Sequence, residues 1–308
     1  MENLSLVDTF SEFKEFKNIE TETLMRIVED VFRGVLVKKY GSDDNIDIIV
    51  NVEKGDFEIW RNRVIVEDGK VEDENTQIAY SDAVKIEPDF EVGEELSEEI
   101  KLKDFGRRDI LAIRQNLVGK VQEYERANIF TKYKEKVGEI VICEVYQAWK
   151  KEVLLIDEEG VEVVLPKSEQ IPGDFFRKGD TVKAVVLKVE MRNGIPNIVL
   201  SRVSPIFLEK LFEQEVPEIY DGLVEIKSIA REPGERSKVA VSSREANLDP
   251  VGACVGPKGS RVRMVVEGLR NERVDVIQWN EDPAVYVANA LSPARVTRVD
   301  IDDENNYA

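Results

Sequence analysis

The run Asp249-Pro250-Val251-Gly252-Ala253-Cys254-Val255-Gly256-Pro257-Lys258-Gly259-Ser260-Arg261-Val262-Arg263 restricts the local fold more than any other stretch of the 308-residue chain. Asp249 is a good helix N-cap and Pro250 suits the first helical position, so a short helix starts there and ends where Gly256 breaks it. Ser260 is placed to cap a second helix, expected over residues 261–270. Gly256 and Gly259 bracket Pro257-Lys258 and let the main chain approach a phosphate closely, while the amides opening the second helix are expected to donate to an anion. Lys258, Arg261 and Arg263 add positive charge at the same place. A helix, a Gly-x-x-Gly turn and a basic helix point to a clamp on the backbone of about four RNA nucleotides. The competing reading is a plain helix-turn-helix joint whose glycines serve only the bend.

The flanking segments favour the clamp. A helix over 206–216 follows Ser204-Pro205, and strands at 223–230 and 237–242 flank the turn Arg231-Glu232-Pro233-Gly234-Glu235-Arg236. A third strand is expected over 273–279. The order helix, strand, strand, helix, Gly-x-x-Gly, helix, strand matches a KH domain of the type that starts with the helix (type II). Val255, Met264 and Ile277 are expected in its apolar core or its groove, with core favoured. Lys238 and Arg244 are candidate RNA contacts, although such cations, like Arg236, are more often plain surface.

The formal net charge of −19 argues against nucleic acid until its distribution is read. Residues 1–100 hold 11 Lys+Arg against 27 Asp+Glu, whereas residues 227–273 hold 10 against 6. Phosphate binding responds to charge within a Debye length of roughly 8 Å, so the basic segment is free to attract RNA while the acidic one addresses a basic protein surface. The absence of histidine removes Ser-His-Asp, Cys-His and His-zinc designs. The clusters Asp43-Asp44, Glu72-Asp73-Glu74 and Glu98-Glu99 read as solvated surface, and no nucleotide-binding fingerprint occurs. The chain is therefore expected to be no enzyme, with no cofactor and no metal. Cys143 and Cys254 lack metal-ligand spacing and are expected as buried thiols. No apolar stretch approaches the ~20 residues of a membrane helix, and the start, with Glu2, Asp8 and Glu12, is unlike a targeting peptide, so a cytoplasmic address is expected.

Upstream, Leu24, Ile27, Val28, Val31, Phe32, Val35 and Leu36 fall at three and four spacing and predict a helix over 22–40. Residues 46–52 and 57–66 then read as a hairpin closed by Glu53-Lys54-Gly55-Asp56, giving a small α+β domain. A polar segment over 87–95 leads toward a helix over 109–133, marked by Ile110, Ile113, Leu117, Val121 and Tyr124. That helix is either a rigid connector or an element packed on the first domain. Five short strands follow, over 138–146, 152–157, 161–165, 180–191 and 195–200, which fits a Greek-key barrel of the oligonucleotide-binding type. RNA binding by the barrel and a barrel without a ligand both stay open; Trp149, with Lys150 and Lys151 beside it, is the candidate for stacking and phosphate contact.

Several runs together carry a family resemblance: Leu200-Ser201-Arg202, Glu215-Val216-Pro217-Glu218-Ile219, Val224-Glu225-Ile226-Lys227, Ala230-Arg231-Glu232-Pro233-Gly234, Asp249 to Gly256, and Asn289-Ala290-Leu291-Ser292-Pro293-Ala294. Phe105-Gly106-Arg107 and residues 165–173 add to it. The chain resembles the NusA family of bacterial transcription elongation, termination and antitermination factors. The resemblance implies an α+β multidomain chain: an RNA polymerase-binding N-terminal domain (1–104), a connecting helix (105–136), an S1 barrel (137–203), a first KH domain (204–290) and the start of a second, truncated one (291–308). It implies as partners RNA polymerase, single-stranded nascent RNA held by the KH and S1 modules, and other elongation factors. A ribosome- or mRNA-associated adaptor and an accessory part of a phosphorolytic exoribonuclease are the rival readings.

Overall fold

In the N-terminal unit, the three-and-four spacing buries one face of helix α1 (Thr21–Tyr40), with Val28, Phe32 and Leu36 fully enclosed. This computed structural model describes residues 19–51, 56–101 and 104–301; the acidic start and the turn residues Glu53, Lys54 and Gly55 lie outside them. Strand β1 (Ile46–Asn51) pairs antiparallel with β2 (Asp56–Val66), Ile48 opposite Ile59, as the hairpin reading requires. Three elements were not anticipated: β3 (Gln77–Ala79), parallel to β2; helix α2 (Tyr80–Ile86); and β4 (Glu95–Glu99), antiparallel to β2. Within β4 only Leu96 is buried, so Glu95 to Glu99 looks like loop although it closes a four-stranded sheet.

Two compact units divide the chain, residues 1–127 and 128–308. Helix α3 (Arg107–Glu135) contributes to each. In the first, Ile113, Leu117 and Val121 join the core made by α1, Ile46, Val50 and Ile59, so the packed reading describes this part of the helix. In the second, Tyr133 is buried against a barrel and donates its hydroxyl to Asp157.

That barrel is closed in the order β5-β6-β7-β9-β8, from β5 (Ile140–Ala148), β6 (Glu152–Ile156), β7 (Glu162–Pro166), β8 (Thr181–Arg192) and β9 (Ile195–Ser201). Alternate residues point inward: Cys143 and Val145, Val153 and Leu155, Val163 and Leu165, Val182, Ala184 and Val186. Bulges at Val145/Gln147 and Val186/Lys188 supply the bending that closure demands. The five-stranded expectation holds, with ends shifted by a residue or two.

The remaining module runs α4 (Pro205–Glu215), α5 (Pro217–Tyr220), β10 (Val224–Glu232), β11 (Arg236–Ser243), α6 (Pro250–Val255), α7 (Ser260–Gly268), β12 (Arg273–Gln278) and α8 (Pro283–Ala290). Ser204 caps α4 by accepting the Ile206 amide at 3.2 Å. β11 lies antiparallel to β10 and parallel to β12. A parallel pair needs a crossover, and here the crossover consists of α6, the Gly-x-x-Gly turn and α7. Phe207, Leu211, Phe212, Val239, Val241, Cys254 and Val265 form the core, together with Ile171 and Val185 from the barrel. Helix α8 was not anticipated. It packs beside β12, where Asn289 donates to the Gln278 carbonyl at 3.0 Å, while Tyr286 hydrogen-bonds Ser228 of β10 at 2.5 Å. Residues 295–301 contain no strand, and residues 302–308 of the expected second KH domain lie outside the described residues.

Candidate nucleic-acid interface

Asp249 caps α6 as its sequence position suggests, its carboxylate accepting the Val251 amide at 3.1 Å, with Pro250 first in the helix. Gly256 ends it at φ +72°, its amide returning to the Gly252 carbonyl at 2.9 Å. A single 3₁₀ turn, Pro257–Gly259, then leads into α7. Within the turn Lys258 sits at φ +53° and Gly259 at φ +74°, so two successive residues adopt left-handed backbone. Only the second is the residue type that does so freely; Lys258 accepts strain and is thereby held at the apex, exposed.

Two expectations need correction here. Ser260 does not cap α7: it is already helical (φ −62°, ψ −44°), and Gly259 occupies the cap position without a side-chain bond. The amides of Gly259 and Ser260 do not face outward either, because the turn directs them to the Gly256 and Pro257 carbonyls. Lys258 and Arg263 are both exposed and have no hydrogen-bond or ion-pair partner among the described residues.

Arg261 differs from them. Its Nη1 donates to Glu218 Oε2 and to the Ala253 carbonyl, each at 2.7 Å. Its stem passes beneath Gly256, where a Cβ would lie 2.7 Å from Arg261 Cγ. Burial works to raise the Glu218 carboxyl, but its own backbone amide and the Arg261 guanidinium outweigh that and hold it below the usual carboxylate range.

The other candidates scatter. Lys238 faces Asp275 at 3.5 Å and donates to the Ser292 carbonyl at 2.8 Å, so its charge is largely answered. Arg244 is exposed beyond β11 in a hollow shared with Glu209, Glu213 and Glu225, not with the turn. Ile277 is buried opposite Ala240 on β11, outside the main core cluster. Met264, for which core was favoured, is 51% exposed. It shares the outer stripe of α7 with Ser260, Arg263 and Glu267, since positions three and four apart lie on one helix face. Val255 is half-buried and outside the core cluster.

On the barrel, Trp149 is 46% exposed at the β5–β6 turn, its amide donating to the Glu152 carbonyl at 2.8 Å, with Lys150 and Lys151 exposed beside it. Sequence reasoning missed two further aromatics. Tyr146 is exposed beneath Lys178, 5.2 Å from the ring centroid, and Phe175 is exposed beneath Arg177 at 5.3 Å. The alternation about Cys143 and Val145 was the signal for Tyr146; Phe175 lies in irregular chain and had none. Cys143 and Cys254 are free and buried as expected, and burial pushes both thiols up to about 12.

A family model described as the NusA-like first KH domain matches residues 202–279, and one described as the NusA N-terminal domain matches residues 5–127. The chain is similar to three proteins called transcription termination/antitermination protein NusA. That of Halalkalibacterium halodurans is 37% identical over 302 residues, spanning 98% of this chain and 78% of the relative. The Bacillus subtilis protein is 34% identical, spanning 97% and 80%, and the Thermus thermophilus protein 35% identical, spanning 99% and 81%.

Proposed function

The chain belongs to the NusA family of transcription termination/antitermination proteins, and on that premise we propose that it acts as a two-handed factor, one unit on RNA polymerase and the other on nascent RNA. The observation that carries the RNA hand is the turn at Gly256 to Gly259, with Lys258, which has no partner among the described residues, at its apex and Arg263 on the exposed face of α7. Four nucleotides of backbone are the expected ligand of such a turn, with electrostatic attraction supplying affinity and the irregular single strand supplying shape. Trp149 with Lys150, and Tyr146 with Lys178, extend this hand onto the barrel as stacking platforms.

The polymerase hand rests on charge: 27 acidic against 11 basic residues over 1–100 suit a basic patch on a large partner. Linking two weak contacts in one chain raises the effective concentration of each, so neither has to be tight. The factor works by shifting the populations of paused and elongating polymerase, without chemistry of its own. The names of the relatives favour this over the ribosomal-adaptor and exoribonuclease readings.

The test replaces Pro257 and Lys258 together by aspartate. RNA retention should be lost while co-purification with polymerase and the far-ultraviolet spectrum are unchanged. RNA affinity equal to that of the parent chain would sink the assignment.

A further inference from the structure

Of the three cations that the motif collects, Lys258, Arg261 and Arg263, Arg261 is the one the fold has already engaged. We infer that Arg261 is a positioning residue for the Gly256–Gly259 turn, stapling it to α5 through Glu218, and that it does not itself contact phosphate. The inference rests on the reading of that turn as an RNA site.

The geometry has three parts. One terminal nitrogen, Nη1, donates both to Glu218 on α5 and to the Ala253 carbonyl in the last turn of α6, at 2.7 Å each. Carbonyls in the last turn of a helix lack intrahelical partners, so the second bond answers one of them. The stem fills the space beneath Gly256, with Cγ and Cδ 2.7 and 2.9 Å from where a Cβ would stand. A short helix, a helix end and a left-handed turn are thus tied to one side chain.

Spending the guanidinium this way has a functional consequence. A Gly-x-x-Gly turn with two left-handed residues has many alternatives when free, and RNA would have to order it on binding. Fixing its two ends through Arg261 lowers that penalty before RNA arrives. Gly256 then serves two purposes, the positive φ and the close passage of the arginine stem.

The test measures affinity of the full chain for a single-stranded RNA oligonucleotide as a function of salt. Loss of a phosphate contact reduces the slope of log affinity against log salt by about 0.7 on single strands. K258A is expected to show that reduction. R261Q is expected to weaken binding about tenfold, the scale of one charge-assisted hydrogen bond, with the slope unchanged. E218Q should reproduce the loss, and R261Q/E218Q should lose no more than either alone. R261K should restore affinity when Glu218 is present and fail to do so beside E218Q. A reduced slope in R261Q, or undiminished binding in E218Q, overturns the inference; E218Q keeps it testable if R261Q does not fold. Amide hydrogen exchange at Lys258 and Gly259 should quicken in R261Q. If the Pro257/Lys258 double aspartate leaves RNA binding intact, the RNA reading fails on its own, while the exchange result still decides whether Arg261 holds the turn.

Discussion

Arg231 grips the carboxylate of Glu272 with Nε and Nη2 at 2.9 Å each, and both side chains are almost wholly removed from solvent. Glu272 also receives the Gly234 amide at 2.9 Å and the Ser237 hydroxyl, and Arg231 reaches the Ser204 carbonyl at 2.8 Å. One carboxylate therefore ties the β10–β11 turn to the residue just before β12, the strand whose parallel pairing with β11 frames the whole crossover. Burial works to raise the Glu272 carboxyl, but Arg231, Ser237 and the Gly234 amide outweigh it and hold it low.

Glu272→Gln leaves Arg231 buried without its counter-charge, and should cost about 3–5 kcal/mol of stability in urea denaturation. Because the folded carboxyl titrates below its unfolded value of about 4.3, its contribution is complete above that pH. It is lost as pH falls through the lower, folded value. The parent chain should show this acid-side decline, and the glutamine variant should lack its share of it.

Asp174 accepts the Arg202 Nε at 2.9 Å, the Arg270 Nε at 3.2 Å and the Ile171 amide at 3.0 Å, while Arg202 also reaches the Gly268 carbonyl at 3.1 Å. These bonds join the barrel to the module carrying the turn. Asp174→Asn should lower stability by about 3 kcal/mol and split one calorimetric transition into two; a single unshifted transition would show that the shared apolar core suffices.

Gly256→Ala and Gly259→Ala should differ in both backbone and packing. Gly259 is left-handed (φ +74°, ψ +21°), costing alanine about 1 kcal/mol, whereas Gly256 (φ +72°, ψ +173°) lies in a region essentially reserved for glycine, costing about 1–3 kcal/mol. At Gly256 the new methyl also meets the Arg261 stem at 2.7 Å, whereas at Gly259 the nearest atom is 3.9 Å away. The first variant should lose clearly more thermal stability and RNA affinity than the second, read by circular dichroism and filter binding.

Tyr146→Ala combined with Trp149→Ala should weaken RNA binding about thirtyfold or more if each ring stacks one base, at about 1–3 kcal/mol per base. Titration against an oligonucleotide long enough to reach both modules measures it, and unchanged affinity would confine binding to the turn.

Local rules made much of this protein legible in its sequence. The spacing in α1, the alternation in β5 to β9, and the Asp249-Pro250 cap with its Gly256 stop each depend on neighbours within a few residues, and each element stands where those neighbours place it. Strand β4 and helix α2 escaped because their burial depends on one side chain each, Leu96 and Ala83, too few to leave a period. Helix α8 escaped for another reason: it buries no residue fully, so its place beside β12 has little hydrophobic trace.

The site divides along the same line. By itself the sequence determined that a glycine-bracketed, cationic turn joins two helices, since residue type alone dictates which backbone can be left-handed and where charge lies. Only the tertiary structure decided which of those cations are available. Glu218 is 43 residues from Arg261, Asp275 is 37 from Lys238, and the carboxylates around Arg244 come from α4 and β10. Charge pairing is a matter of distance in space, and no local pattern in the chain encodes it. Folding answers Arg261 and Lys238 and leaves Lys258 and Arg263 exposed, without a partner among the described residues.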